Sequence, residues 1–228
     1  MKYSKVTEGT FISRPNRFIA YADINGRTEV CHVKNTGRCK ELLIPGVKVI
    51  LEESSNPSRK TKYDLIAVYK GDILVNIDSQ APNKVFHEWI KSSGFFGDDI
   101  RVKPECRYKN SRFDCYIESG DRRIFAEVKG VTLERDGVVL FPDAPTERGV
   151  KHLNELIDAK ENGFEAYVFF IIQMKSCLYF TPNRDTHPEF ADTLKLAAEK
   201  GVRAVALSCS VAEDSLAVSE KGEIKIII

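Results

Sequence analysis

Residues 111–133, SRFDCYIESGDRRIFAEVKGVTL, decide the fold of this chain. Apolar and polar residues alternate over 112–119 and again over 122–133, which is the periodicity of a half-buried β-strand. The pair Gly120-Asp121 between the two runs favours a two-residue turn. The stretch therefore predicts an antiparallel β-hairpin.

The predicted hairpin brings two acidic side chains together. Counting back along both strands from the turn places Asp114 opposite Glu127, with Cβ atoms roughly 4.5–5.5 Å apart. Lys129 lies two residues beyond Glu127 and therefore shares its face of the sheet. Like charges this close repel each other, and a divalent cation held by carboxylate oxygens removes the repulsion. We therefore predict Asp114 and Glu127 as ligands of Mg²⁺ or Mn²⁺, and as catalytic residues together with Lys129.

The chemistry that this group would support is phosphodiester hydrolysis. Two carboxylates can hold a divalent cation, while a nearby lysine can orient or deprotonate a water and offset the charge that builds on a phosphate. The alternative is structural, because charged residues that alternate along a strand are most often the solvated face of a half-buried sheet.

A third acid extends the predicted metal site. A strand is expected over 101–108, followed by a turn at Lys109-Asn110, and this register places Glu105 opposite Asp114. Glu105 is therefore predicted as a further metal ligand. A slip of one residue would move it to the opposite face of the sheet.

The composition is that of a globular protein whose two parts differ in charge. Of the 228 residues, 43% are apolar and 29% are charged, and the net charge is +1. Residues 1–81 contain 13 Lys and Arg against 9 Asp and Glu, whereas residues 82–228 contain 21 against 24. A basic part beside a part with clustered acids suits a polyanion-binding module joined to a carboxylate metal site. The β-strand pattern also stops near residue 81, where we place a domain boundary.

Residues 1–81 predict a small β-barrel of about five strands, with hairpin turns at Asn25-Gly26 and around Gly71. An oligonucleotide-binding (OB) barrel is the obvious candidate, and other small barrels fit nearly as well. Basic residues interleaved with Phe11 and Phe18 suit a nucleic-acid surface, although the pattern favours the core for both rings and ordinary solvated surface is the alternative for the basic residues. The predicted nucleic-acid contacts of this part are Arg14, Arg17, Lys34, Arg38 and Lys40.

Residues 82–228 predict an α/β domain with a mixed sheet. A first helix, over 84–94, carries Glu88, which could point toward the metal. A second helix follows the capping residue Thr146, and its first turn carries Arg148 and Lys151, which we predict to contact phosphate. The remaining elements expected are a central strand within the apolar run 165–174, a helix over 188–200, and strands over 202–207 and 223–228.

Cysteine spacing and hydropathy exclude other classes of protein. The six cysteines include no C-x-x-C pair, so a zinc site is not expected. The first ten residues lack the apolar core of a signal peptide, and no run approaches the ~18 apolar residues of a membrane span. We expect a cytoplasmic protein without membrane contacts, whose partner is a nucleic acid, with DNA favoured.

Longer strings resemble the sugar fermentation stimulation protein A (SfsA) family. These strings are NRFIAYADINGR (16–27), NTGRCKELLIPG (35–46), SRFDCYI (111–117), EVKGVTL (127–133) and FPDAPTERGVKHLNEL (141–156). The order of helix, Asp strand, Glu-x-Lys strand, helix and strand also resembles the core of the PD-(D/E)xK nuclease superfamily. One departure is Phe113, which stands where the superfamily motif has a proline.

The resemblance implies a two-domain protein that binds DNA. It implies an OB-like N-terminal domain at 1–81 and a restriction-endonuclease-like domain at 82–228, in which Asp114 and Glu127 hold the metal and Lys129 is the catalytic lysine. Two functions are compatible with it. One is a nuclease that depends on Mg²⁺ or Mn²⁺, and the other is a non-catalytic DNA-binding regulator of sugar metabolism genes.

Overall fold

A closed barrel forms the N-terminal part of the protein. The computed structural model describes residues 1–35, 37–175 and 177–228. The barrel strands are β1 Val6–Ser13, β2 Ile19–Ile24, β3 Arg27–Val33, β4 Lys48–Glu53 and β5 Tyr63–Lys70, and β6 Ile73–Asn76 follows them. The sheet closes because β1 pairs with β4 and because β3, besides pairing with β2, runs parallel to β5. This is the OB arrangement that the sequence predicts.

Turn chemistry sets the barrel hairpins. Asn25 and Gly26 both have positive φ, 54° and 78°, as a type I′ turn requires, and the Asp23 carboxylate accepts a hydrogen bond from the Gly26 N–H at 3.0 Å. The two aromatic residues considered for either the core or a nucleic-acid surface differ in exposure: Phe11 lies in the core and is 2% exposed, whereas Phe18 is 56% exposed. Only Phe18 therefore presents an accessible ring.

A mixed sheet with helices on its faces forms the C-terminal part, as predicted. Its elements are α1 Ala81–Ser92, β7 Ile100–Tyr108, β8 Ser111–Ser119, β9 Arg122–Val131, β10 Leu133–Arg135, β11 Val138–Phe141, α2 Glu147–Glu161, β12 Glu165–Ile172, β13 Tyr179–Pro182, α3 Pro188–Glu199, β14 Arg203–Ala212 and β15 Ser215–Ile226. In the part of the chain described, the strand order is β10-β11-β13-β15-β14-β12-β9-β8-β7. None of the helices described is long and apolar enough to cross a membrane.

The sheet is organised around β12, which pairs in parallel with both β9 and β14. Seven of its eight residues are buried, which explains the continuous apolar run in the sequence. The predicted strands near the C-terminus were too short, because β14 continues to Ala212 and β15 begins at Ser215. Strand β13 was not predicted. Its four residues are too few to show a clear alternation.

Both predicted registers around the acidic hairpin are confirmed. The β8–β9 ladder runs from Ser119 opposite Arg122 to Cys115 opposite Ala126. The β7–β8 ladder begins with Tyr108 opposite Ser111 and continues past Glu105. Strand β7 lies at the edge of the sheet, where a proline such as Pro104 removes no hydrogen bond from a central ladder.

A buried polar network and shared apolar packing join the two parts. The Asn76 N–H donates to the Gln173 carbonyl at 2.9 Å, and the Gln173 side chain donates back to the Asn76 side-chain oxygen at 2.9 Å. Asn76 also donates to the Tyr3 hydroxyl at 2.9 Å. One apolar cluster contains barrel residues such as Leu65 together with Phe170 of the mixed sheet. The barrel therefore packs directly against the end of β12.

A cluster of charges holds one end of the barrel. The Asp64 carboxylate is 2% exposed and accepts two hydrogen bonds from the Arg59 guanidinium, both at 2.7 Å. His32 contacts the same carboxylate at 2.9 Å, and the Lys34 ammonium lies 3.5 Å away. Burial raises the pKa of Asp64, but the hydrogen bonds from Arg59 and His32 outweigh it and bring the pKa from the ordinary 3.8 to about 2.

The Asp64 ion pair predicts a loss of stability in acid. Because the folded pKa lies below the unfolded one, this stabilisation is complete above about pH 4 and is lost as the pH falls toward about 2. We expect the stability difference between the wild type and Asp64→Asn to shrink by about 2 kcal/mol across that window. Urea denaturation at several pH values measures it. The control Asp72→Asn, at an exposed position, should show no such change, and a pH-independent difference for Asp64→Asn would contradict the prediction.

Candidate metal centre

The Asp114 carboxylate lies where the β8–β9 ladder ends. Beyond the pair Cys115–Ala126, the Asp114 side chain replaces the next backbone acceptor, because its Oδ2 accepts a hydrogen bond from the Val128 N–H at 2.8 Å. Its Oδ1 accepts another from the Asn83 side chain at 3.1 Å. Strand β9 and helix α1 together therefore fix this carboxylate.

Glu127 is the buried acid of the pair, with 2% of its surface exposed. Its Oε1 accepts a hydrogen bond from the Lys129 ammonium at 2.6 Å and makes a short contact with His152 Nδ1. Its Oε2 is also buried, and it has no hydrogen-bond partner among the residues described. An unsatisfied buried carboxylate oxygen is costly, so a water or a cation bound to this atom would stabilise the site.

The two carboxylates differ in their electrostatics. Burial, followed by the neighbouring Glu127 charge, raises the pKa of Asp114 above its ordinary value. Burial also raises the pKa of Glu127, but the hydrogen bond from His152 and the Lys129 charge outweigh it and bring the pKa below its ordinary value. The negative charge of ionised Asp114 is therefore unfavourable beside the Glu127 charge, and a bound cation would reduce this repulsion.

Helix α2 supplies His152 from above the sheet. Thr146 caps the N-terminus of the helix, because its hydroxyl accepts a hydrogen bond from the Gly149 N–H at 3.1 Å. His152 is 4% exposed, and its Nε2 accepts a hydrogen bond from Arg148 Nε at 3.3 Å. The sequence did not identify His152 as part of the site. Its position beside Leu153 on the buried stripe of α2 was the available signal.

Helix α1 supplies Asn83 rather than Glu88. The Glu88 carboxylate lies 2.5 Å from the amino group of Met1, so the suggestion that it points toward the metal is wrong. Asn83 was not predicted, because a single polar residue in the first turn of a helix carries no distinctive pattern.

Glu105 does not join the two acids. Its register opposite Asp114 is as predicted, but its backbone has φ 52° and its side chain is 68% exposed. The Glu105 carboxylate lies 3.4 Å from the Arg112 guanidinium. The left-handed backbone at this residue breaks the alternation of the strand, which explains why register alone misplaced the side chain.

Two of the residues predicted to contact phosphate bind other groups of the protein instead. The Arg14 guanidinium donates to the carbonyl oxygens of Gly37, Arg38, Arg17 and Asn35 at 2.6–2.8 Å. The Lys34 ammonium lies 3.1 Å from Glu52 and 3.7 Å from Asp78. These side chains hold loops and strands together, so their assignment to a nucleic-acid surface is corrected.

The other predicted cations lie at the surface. Arg17, Arg38 and Lys40 are exposed on the barrel, and Arg148 and Lys151 are exposed on α2. Arg17 and Arg38 line a cleft of about 510 Å³ between the barrel and the mixed sheet. Gly130, the residue after Lys129, lines the same cleft. The cleft therefore extends from the basic barrel surface to the end of strand β9, although Asp114, Glu127 and Lys129 are not among the residues that line it.

A second group of possible metal ligands lies where helices α2 and α3 begin. One ligand atom each from Glu147, His187 and Glu189 lie within 4.8 Å of one another. His187 Nδ1 accepts a hydrogen bond from the Thr146 N–H at 3.3 Å, so Nε2 carries the proton of the neutral ring. Helix N-termini also disfavour cations. These donors fit a metal less well than Asp114 and Glu127 do.

The Asp114–Glu127 pair fits a hard divalent cation. Its donors are carboxylate oxygens, the kind that Mg²⁺, Mn²⁺ and Ca²⁺ prefer, and one of them, Glu127 Oε2, is buried without a partner in the described residues. Lys129 and His152 both contact the other oxygen of Glu127. The pair can therefore offer Oε2 to a metal without breaking either contact.

The fold and this arrangement of acids define an OB barrel joined to a restriction-endonuclease-like domain. Two family models match the chain: the SfsA N-terminal OB domain over residues 12–77 and the sugar fermentation stimulation protein RE domain over residues 80–215. The chain belongs to the sugar fermentation stimulation protein (SfsA) family.

Relatives and a solved structure agree over the whole length. The chain is 59% identical to a sugar fermentation stimulation protein homolog of Clostridium beijerinckii over 220 residues, covering 96% of this chain and 97% of that protein. A homolog of Desulfitobacterium hafniense is 59% identical over 227 residues, covering 100% and 99%. The solved structure of Pyrococcus furiosus SfsA in complex with Ca²⁺ matches with a TM-score of 0.89 at 30% identity, covering 100% of this chain and 98% of that one.

The raised pKa of Asp114 predicts that this residue lowers stability at neutral pH. The pKa of Asp114 is higher in the folded protein than in the unfolded chain, where it is 3.8. The stabilisation from this difference is therefore complete at pH values below 3.8 and is lost as the pH rises through the folded pKa. In EDTA at neutral pH, Asp114→Asn should therefore raise the free energy of unfolding by roughly 0.5–2 kcal/mol. Chemical denaturation measures the difference.

The matched control is Glu118→Gln on the same strand, where the half-exposed carboxylate lies 3.6 Å from Lys103. This change should alter the free energy of unfolding by less than about 0.5 kcal/mol. Added Mn²⁺ should raise the melting temperature of the wild type and leave Asp114→Asn unchanged. A less stable Asp114→Asn protein in EDTA would show that the charge at this position is not a net cost.

Proposed function

We propose that the protein is a divalent-metal-dependent nuclease that hydrolyses phosphodiester bonds, with DNA as the favoured substrate. The observation that carries the proposal is the convergence of Asp114, Glu127 and Lys129, with a buried oxygen of Glu127 that has no partner among the described residues. Glu155 Oε2 is also buried without a partner among the described residues, so the proposal rests on this oxygen of Glu127 together with the neighbouring Asp114 carboxylate and Lys129 ammonium. The proposed cofactor is Mg²⁺ or Mn²⁺.

Each residue has a proposed part in the reaction. Asp114 and Glu127 would hold the cation, which when bound activates a water and withdraws charge from the phosphate. The Val128 N–H and Asn83 keep the Asp114 carboxylate in one orientation. Lys129 would turn from Glu127 to the phosphate, where its ammonium orients the water or offsets the negative charge of the transition state.

The interdomain cleft is the proposed path of the nucleic acid. Arg17 and Arg38 line it, and both belong to the exposed basic surface of the barrel. The exposed Phe18 ring beside Arg17 could stack on a base. On α2, Arg148 and Lys151 are exposed close to His152 and could contact phosphates.

The alternative function is a non-catalytic DNA-binding regulator. The name of the relatives, sugar fermentation stimulation protein homolog, favours it, because stimulation of a metabolic process suits a regulator. In that case the acidic pair would have a structural role, and binding would persist in EDTA without cleavage under any metal.

Cleavage of labelled nucleic acids tests the nuclease. Linear and circular, single- and double-stranded DNA and RNA are incubated with the wild type and Mn²⁺, and products are separated by electrophoresis. We expect Asp114→Ala and Lys129→Met each to lower the cleavage rate by about a hundredfold or more, because the first removes a proposed ligand of the cation and the second removes the positive charge proposed to act on the phosphate.

Lys103→Met is the matched control for Lys129→Met, since Lys103 lies exposed on the edge strand β7. This variant should cleave at the wild-type rate. If both Asp114→Ala and Lys129→Met still cleave at the wild-type rate, the cleavage comes from another site or a contaminant. The assignment of Asp114 and Lys129 to the active site would then be wrong. Binding by the wild type without cleavage of any substrate would favour the regulator.

Binding in EDTA tests the cleft. The double variant Arg17→Ala/Arg38→Ala should bind single-stranded DNA more weakly. The slope of the logarithm of its association constant against the logarithm of the salt concentration should become shallower by roughly 0.7 per lost phosphate contact. Fluorescence anisotropy at several salt concentrations measures both quantities. The control Arg27→Ala/Lys60→Ala changes two exposed cations elsewhere on the barrel and should bind like the wild type. Equal salt slopes for the two double variants would contradict the proposed path.

A further inference from the structure

We infer that His152 is a positioning residue of the metal centre: its Nδ1–H holds one oxygen of Glu127 and so keeps the other oxygen turned to the cation. The inference rests on the proposed function, because it concerns the same site. It assigns a role to a buried histidine that the proposed reaction does not otherwise use.

The contact with Arg148 fixes the tautomer of His152. An arginine side chain can only donate hydrogen bonds, and Arg148 Nε donates to His152 Nε2 at 3.3 Å. Nε2 must therefore lack a proton, so the proton of the neutral ring is on Nδ1. Nδ1 contacts Glu127 Oε1, and this hydrogen bond runs from the histidine to the carboxylate. Arg148 and His152 are four residues apart and share one face of α2, which makes the contact possible.

The ring of His152 is held in place on its other sides. It is 4% exposed and lies edge-on to Phe113, with ring centroids 6.3 Å apart. Phe113 immediately precedes Asp114 on β8. One imidazole thus contacts both strands of the hairpin, and it couples the position of α2 to the spacing of the two carboxylates.

His152 and Lys129 share Glu127 Oε1 but differ in freedom to move. The Lys129 side chain is 17% exposed and carries its ammonium on a four-carbon stem with rotatable bonds, whereas the His152 side chain is 6% exposed and packs against Phe113. When Lys129 turns to a phosphate, Oε1 keeps its hydrogen bond from His152. The Glu127 carboxylate does not rotate, and Oε2 stays in place as a ligand. Hydrogen-bond partners of metal ligands have this orienting effect in other sites.

Cation affinity without nucleic acid tests the role of His152. The amide nitrogen of Asn can occupy the place of Nδ1, whereas that of Gln reaches the place of Nε2, so only His152→Asn keeps the donor to Glu127. Isothermal titration calorimetry with Mn²⁺ should give an affinity within about threefold of the wild type for His152→Asn, and about 10- to 100-fold weaker for His152→Gln and His152→Leu. The Asp114→Asn protein supplies the baseline for binding elsewhere, including the Glu147–His187–Glu189 group.

Wild-type affinity in His152→Leu, or equal weakening in His152→Asn and His152→Gln, would overturn the inference. If His152→Leu does not fold, the two amide variants still decide, because they differ only in where the donor lies. If the His152 variants show the expected order of Mn²⁺ affinities but the wild type cleaves no substrate, the role of His152 stands and the proposed nuclease activity is wrong. If the wild type binds no more Mn²⁺ than Asp114→Asn does, both the role of His152 and the metal-dependent nuclease activity are wrong.

Discussion

The hydrogen bond from the Val128 N–H to the Asp114 carboxylate is the interaction on which the site depends. It ends the β8–β9 ladder with a side chain in place of a backbone carbonyl, and it keeps the partly buried Asp114 beside the buried Glu127 of the neighbouring strand. Three consequences follow from that burial. Asp114 resists ionisation, Glu127 needs donors on one oxygen, and its second oxygen is left without a partner among the described residues. These three features are the ones on which the proposed cation site rests.

The barrel contributes to this site through structure as well as charge. Asn76 and Gln173 exchange hydrogen bonds where β6 meets the end of β12, and β12 lies beside the strand that carries Glu127 and Lys129. Gly130 fits closely there, because a Cβ at this position would lie 2.6 Å from the Gln173 side-chain oxygen. The cleft between the domains therefore has fixed walls at the end nearest to Lys129.

Sequence predicted well what depends on local chemistry. Gly120-Asp121 and Lys109-Asn110 give two turns, and the two turns give both registers, so the pairing of β8 with β9 up to Cys115 opposite Ala126, one pair short of Asp114 and Glu127, followed from counting. Contacts between distant segments could not be predicted in this way. Arg14 looks like an exposed cation in sequence, and only the folded loops show that four carbonyl oxygens surround it. Glu105 was misplaced because its left-handed backbone has no signature in a residue that rarely adopts it.

The shared packing of the two domains bears on how the chain unfolds. The apolar cluster extends from the barrel strands into the mixed sheet, and the Asn76–Gln173 exchange lies buried within the junction. Separating the domains would expose apolar surface to water and exchange the buried amide hydrogen bonds for hydrogen bonds to water, at a cost that neither domain alone recovers. The two domains are therefore expected to lose their structure in one cooperative transition, with the barrel acting as part of the folding unit that maintains the acidic hairpin.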